Sequence, residues 1–165
     1  MKSSSVTDVA LEPRRQSASV TEMTEYVLPT HTNVFGTVFG GQIMAWIDLC
    51  AAICAQRHAG HPCVTASVDD LSFKRPVRVG QVVLLRAQVT ATFRTSMEIE
   101  VLVLGEDMTT GERWTTVDCR TTFVAVNGDG TPTGVPRLLL ETDAQRASQA
   151  AAEERRRGRL EKRRQ

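Results

Sequence analysis

The sequence predicts an α+β chain in which one antiparallel sheet curls around a single long helix. Three observations predict it. An apolar segment of helical length lies between Gly40-Gly41 and Gly60. A run of Val-, Leu- and Thr-rich segments from Cys63 to Val126 is broken only by short turns, and connections that short cannot make parallel crossovers. The chain has 165 residues, enough for one domain with a real core.

The elements follow in order. Residues 1–22 are rich in Ser and Thr and poor in large apolar groups, so they bury too little to offset their ordering entropy and are expected to form a disordered arm. The domain proper is placed at 23–137. Met23–Leu28 reads as a short strand stopped by Pro29, and Thr30–Asn33 is turn chemistry. In the helix, Ile43, Met44, Trp46, Ile47, Leu49 and Ile53 leave no polar face, so burial all round is expected. A sheet wrapped about the helix supplies that cover.

Thr65–Phe73 is read as strand before the turn at Arg75-Pro76, and Gln81–Thr92 as the next strand. Arg94-Thr95-Ser96 turns the chain into Met97-Glu98-Ile99-Glu100-Val101, which alternates with a period of two. Glu106–Glu112 turns it again, Trp114–Val126 returns, and Asn127-Gly128-Asp129-Gly130 closes the last strand. The expected order is a short strand, the helix and a meander of about four longer strands, with leftover apolar and edge surface favouring self-association. Residues 138–165 form a charged C-terminal helix and tail. Thr142 and Gln145 are spaced as a capping box, and few apolar anchors follow, so the helix is expected on the surface.

Composition excludes several functions. Twenty Lys+Arg against nineteen Asp+Glu leave a net charge of +1, too little to draw the whole chain to nucleic acid or an anionic membrane. The basic run Arg155–Arg164 lacks interleaved aromatics and makes a poor nucleic-acid platform, though its arginines are suited to phosphates. The apolar run Ile43–Ala55 is too short to span a bilayer and contains Asp48. With no apolar leader segment, a cytoplasmic location is expected. Cys50, Cys54, Cys63 and Cys119 fit neither a metal motif nor a disulfide scaffold, and His31, His58 and His61 lack metal spacing. No metal and no cofactor are expected. Neither a GxSxG elbow nor a phosphate-binding glycine motif is present.

Three features carry candidate chemistry. Asp48 is a carboxylate on an apolar helix, which implies either a structural partner or a role. Gly40-Gly41 precedes the helix, where N–H groups without intrahelical partners would suit an oxyanion, unless the glycines only permit a tight turn. Asn33 would orient a water or carbonyl, or cap its own backbone.

Asn33-x-x-Gly36-x-x-x-Gly40-Gly41-x-x-Met44-x-x-x-Asp48, followed by Val64-Thr65-x-Ser67-Val68-Asp69, Phe73-x-x-Pro76, Gly80, Thr95-Ser96-Met97-Glu98 and Val135-Pro136, resembles the hotdog-fold acyl-CoA thioesterases. The likeness is to the YciA-type enzymes and cytosolic acyl-CoA hydrolases, and it spans residues 23–145. It implies hydrolysis of acyl-CoA to a fatty acid and coenzyme A, the latter being part of substrate and product rather than a cofactor. It also implies a homo-oligomer: dimers with sites at the interface, Asn33 from one subunit and Asp48 from the other, and three dimers forming a hexamer. Asp48 would act as general base on water, or attack directly to give a mixed anhydride. The resemblance assigns coenzyme A to Val64, Thr65 and Ser67 and to the Arg94-Thr95-Ser96 turn. Arg57 and the C-terminal arginines are further candidates for its phosphates, and Met44 and Ile47 for the acyl tunnel. A non-catalytic acyl-CoA sensor or carrier on the same fold is the alternative.

Overall fold

The computed structural model describes residues 11–164. In chain order the elements are β1 (Arg14–Arg15), β2 (Thr21–Tyr26), α1 (Gly40–Ala59), β3 (Cys63–Asp69), β4 (Val82–Thr92), β5 (Ser96–Glu106), β6 (Arg113–Ala125), β7 (Leu138–Leu139) and α2 (Asp143–Lys162). The main sheet is antiparallel in the order β2-β4-β5-β6-β3, and β1 pairs with β7 in a parallel ribbon of two strands.

Alternation along the long strands gives the sheet two distinct faces. Val83, Leu85, Ala87 and Val89 of β4, Met97, Ile99, Val101 and Val103 of β5, and Val117, Cys119 and Phe123 of β6 form the concave face. They pack on Ile43, Trp46, Ile47, Cys50, Ala51, Cys54 and Ala55 of α1, which gives the expected helix inside a curled sheet.

Two expectations need correction. The four long strands are not one meander: β4, β5 and β6 are, but β3 lies at the far edge, paired with β6 rather than β4. The connection 70–81 carries Pro76 and makes no hairpin, so β3 is free to take the edge that leads directly from the end of α1. Nor is α1 buried all round. Met44, Asp48 and Leu49 lie on an open side, with Met44 45% and Leu49 52% exposed.

The arm expected at 1–22 is also different where it is described; residues 1–10 lie outside the described residues. Ser19 and Thr21 are buried, and β2 begins at Thr21. Polar contacts rather than apolar bulk hold this segment. The Arg14 guanidinium donates to the carbonyls of Arg57 (3.0 Å) and His58 (2.9 Å), which the end of α1 leaves without helical partners. Gln16 donates to the Val89 carbonyl at 2.8 Å. Gly60, at φ 70°, supplies the left-handed residue that ends α1.

The C-terminal helix starts at the expected capping box, Thr142 accepting from the Gln145 N–H. It then lies across the convex face of the sheet. Gln149 bonds both backbone groups of Thr92 on β4, Arg155 clasps Glu98 on β5, and Arg159 reaches Asp69 on β3. From residue 149 to 159 a helix rises about 15 Å, and β4 to β3 is three strand spacings, about 14 Å, so α2 crosses the strands almost at right angles. Ala152, on the side of α2 that faces the sheet, is fully buried.

Candidate active site

Asp48 stands on the open side of α1, where the β3 edge strand meets the helix. The Thr65 hydroxyl donates to Asp48 Oδ1 at 2.5 Å. A bulge between Thr65 and Ser67 sets this arrangement. The extra residue keeps Thr65 and Val68, three apart, both on the helix side, where strict alternation would have turned one away. Val68, Leu71, Met44, Ile47 and Asp48 line an open cleft of about 150 Å³ that is apolar except at the carboxylate. Of the two residues expected to line an acyl tunnel, Met44 and Ile47, both are there.

The start of α1 has no side-chain cap, and Phe39 at its N-cap is extended. Its first N–H groups therefore keep their donor capacity, and the helix dipole adds to it. Gly40 has a packing reason as well: a Cβ there would meet the Phe73 ring at 3.2 Å, and one at Gly41 would meet the Phe39 ring at 3.0 Å. Gly41 and Asp48, seven residues apart, lie on the same exposed stripe of the helix.

Asn33 occupies the loop before α1. Its Oδ1 accepts from the Phe35 N–H (2.9 Å) and the Thr37 N–H (3.3 Å), and its Nδ2 donates to the Thr37 hydroxyl (3.0 Å). Within one chain this is a capped turn, and no hydrogen bond joins Asn33 to Asp48 among the described residues. The turn pushes Val34 and Phe35 outward, 94% and 79% exposed.

The residues assigned to coenzyme A divide into two groups. Val64 pairs with Val124, and Val124 with Ser96, so Val64, Thr65 and Ser67 share one end of the sheet with the Arg94-Thr95-Ser96 turn. Arg57 is elsewhere. It donates to the Val20 carbonyl and the Thr21 hydroxyl at the C-terminal end of α1, securing β2 rather than joining the cleft.

The remaining reactive groups are inert by environment. Burial pushes the Cys50, Cys63 and Cys119 thiols up to about 11 and Cys54 to about 12, so all four stay protonated. His58 is fully buried and bonded to the Pro136 carbonyl at 2.8 Å, and burial lowers its pKa. His31 Nδ1 accepts from the Leu28 N–H, and the ring meets Trp46 edge-on at 5.0 Å. Among the described residues no helix is long and apolar enough to cross a membrane, and no group of three potential metal ligands gathers.

Sequence reasoning did not find Thr65 as the partner of Asp48, nor Val68 and Leu71 as cleft walls. No local signal marks them, because the bulge that keeps Thr65 and Val68 inward is set by pairing with β6, and Leu71 enters only through the turn at Asp70.

The thioesterase superfamily model matches residues 35–112, a stretch that includes Gly40, Gly41, Asp48 and Thr65. Acyl-coenzyme A thioesterase 11 of Mus musculus is 40% identical over 84% of this chain. The match covers 23% of that relative, and the chain likewise spans about a quarter of the acetyl-coenzyme A thioesterases of mouse and rat. The crystal structure of an apo-hexameric acyl-CoA thioesterase superposes with a TM-score of 0.87 at 38% identity, covering 92% of this chain and 97% of that one. The acyl-CoA hydrolase of Staphylococcus aureus, solved with butyryl coenzyme A and coenzyme A, gives 0.82 at 33% identity over 91% and 92%. Alanine variants of that hydrolase exist at an Asn, an Asp and a Thr whose mutual spacing equals that of Asn33, Asp48 and Thr65. On identity, coverage and shared architecture together, this chain belongs to the hotdog-fold acyl-CoA thioesterase family.

Proposed function

We propose that the chain hydrolyses fatty acyl-CoA to a free fatty acid and coenzyme A. The carrying observation is Asp48 itself: an ionisable group on the wall of an apolar cleft, oriented by Thr65 and sharing a helix face with the donor end of α1. Asp48 takes a proton from water as that water adds to the thioester carbonyl. The oxyanion is held by N–H groups around Gly40-Gly41, and collapse breaks the C–S bond, the thiolate being protonated as it leaves. Asn33 orients the water or the carbonyl. The equal spacing in the Staphylococcus aureus hydrolase supports grouping these three side chains.

The site as a whole belongs to two subunits. In a single chain Val34 and Phe35 on the Asn33 loop, Phe39, Met44 and Leu49 on and before α1, Val64 and Val68 on β3, and Phe73 are all exposed. An apolar surface of that extent favours a partner, and β3 presents an unpaired edge beside it. A second copy laid on this face would bring its Asn33 loop to this Asp48 and exclude water from the cleft. Assembly of three such dimers follows the hexameric relative. Phosphates of coenzyme A are assigned to the end of the sheet carrying Arg94, Thr95 and Ser96. Four free thiols, three of them buried, fit the reducing cytoplasm.

Free-thiol release from acyl-CoAs of graded chain length tests the reading. Wild type is expected to release thiol, and Asp48→Asn to lose nearly all turnover while keeping its oligomeric state. Binding without release across the panel would favour the sensor or carrier; full activity in Asp48→Asn would remove Asp48 from the mechanism.

A further inference from the structure

The cleft wall opposite α1 is tied to a helix on the other side of the sheet. Val68, the last residue of β3 to face the cleft, is followed by Asp69, which points outward and accepts from Arg159 Nη1 at 2.8 Å. Both partners of this ion pair are about three-quarters buried. Asp70 comes next at φ 56°, the one left-handed non-glycine among the described residues. It bends the chain sharply, a conformation Asp tolerates better than most residues. The turn delivers Leu71 into the cleft and carries the chain on to Phe73, whose ring lies against Gly40 at the start of α1. The segment 70–76 has no strand partner of its own. It is anchored at its start by the Asp69 end of β3, and at its far end by the Lys74 N–H, which donates to the Thr116 carbonyl, and by Arg75, which pairs with Glu112 and lies over the Trp114 ring.

From this geometry we infer that Arg159 is a positioning residue for acyl-chain specificity: by fixing Asp69 it fixes the bend that places Leu71, and so sets the depth of the apolar cleft. The inference rests on the acyl-CoA reading of that cleft. Arg159 lies on the convex side of the sheet, bonded to Asp69, and makes no contact with Asp48. It acts through the backbone of Asp69 and Asp70, and α2 stays docked without it, because Gln149 still holds Thr92 and Arg155 still holds Glu98.

The test compares wild type with Arg159→Gln, Asp69→Asn and the double variant in the full-length chain, using acyl-CoAs from acetyl to long chain. Either single variant is expected to raise KM for long chains roughly tenfold, as losing one charge-assisted contact allows, and to leave acetyl-CoA within about twofold. The double variant is expected to match the singles, since both remove one contact. Equal loss at every chain length, or an unchanged profile, overturns the inference. A second readout is independent of turnover: exchange of the Lys74 amide, which the Thr116 carbonyl protects, is expected to accelerate in Arg159→Gln while exchange in α2 does not. Unchanged exchange at Lys74 refutes the tie even if no acyl-CoA is hydrolysed, whereas an inactive wild type with accelerated exchange refutes only the functional reading.

Discussion

Replacing Arg155 by Gln would expose the energetics that dock α2. Glu98 has no solvent exposure, although it belongs to the convex face, where alternation along β5 would leave an acid in water. Its carboxylate is satisfied instead by a two-pronged Arg155 clasp at 3.0 and 2.7 Å, by the Thr90 hydroxyl at 3.0 Å, and more distantly by Arg120 at 3.8 Å. Removing one partner of a buried pair costs about 3–5 kcal/mol, because the other charge stays dehydrated. Here Thr90 and Arg120 remain, which places the expectation near the lower limit, at about 3 kcal/mol. For a domain of this size that corresponds to a fall in melting temperature of about 6–12 °C. A second route caps the loss: α2 can lift away and let water reach Glu98, which gives up the burial of Ala152 and the Gln149 bonds. Thermal melting and limited trypsinolysis together resolve the two routes, since α2 is rich in arginines. Expected are the lowered melting point and faster cleavage within 150–164. Replacing both Glu98 and Arg155 by Leu removes the charge along with its partner and is expected to recover most of the loss. A single variant within about 1 kcal/mol of wild type, with unaltered cleavage, would refute the claim that this pair holds the helix.

Three further outcomes follow from the same structure. His58 is buried with its pKa lowered by burial, so below pH 6.5 the unfolded chain takes up a proton that the folded chain resists. Stability is therefore complete above that pH and declines below it, by up to about 1.4 kcal/mol per pH unit, until the folded-state pKa is reached; urea midpoints across pH 5 to 8 should show a slope that His58→Gln flattens. Gly105→Ala drives a methyl group into the Trp114 indole, whose far side is covered by Arg75, so a loss of about 1–3 kcal/mol is expected by thermal melting. Thr65→Ala removes the hydrogen bond to Asp48 and is expected to lower kcat roughly tenfold or more, with KM and oligomer size little changed.

Much of the architecture is legible because local and global preferences agree. Gly40-Gly41 and Gly60 bracket α1 to within a residue, and the turns at Arg94–Ser96, Glu106–Glu112 and Asn127–Gly130 fall where the strands end. The Thr142 capping box opens α2 as expected. What escapes is governed by distant pairing. Arg14 and Gln16 look like disorder-prone polar residues until the carbonyls at the end of α1 and on β4 give them a task. Glu98 reads as a solvated acid until Arg155, far along the chain, covers it. β3 looks like the first strand of a meander, and only its register with β6 sends it to the edge and inserts the bulge that turns Thr65 toward Asp48. The candidate site shows the same division: Asn33, Gly40-Gly41 and Asp48 are marked by residue type and spacing, whereas the apolar cleft beside Asp48 is a product of sheet order.

Subunit complementation tests the central proposal, a thioesterase site shared between two copies of the chain, most directly. Asn33→Ala and Asp48→Asn are each expected to be nearly inactive alone. Unfolded together and reassembled at equal ratio, half of the dimers contain one of each, and every such dimer has one of its two sites intact if Asn33 and Asp48 come from different subunits. The account predicts recovery of about a quarter of wild-type thiol release. Mixed oligomers that form, as shown by differential tagging, yet recover no activity would contradict it and place both residues in a site within one chain.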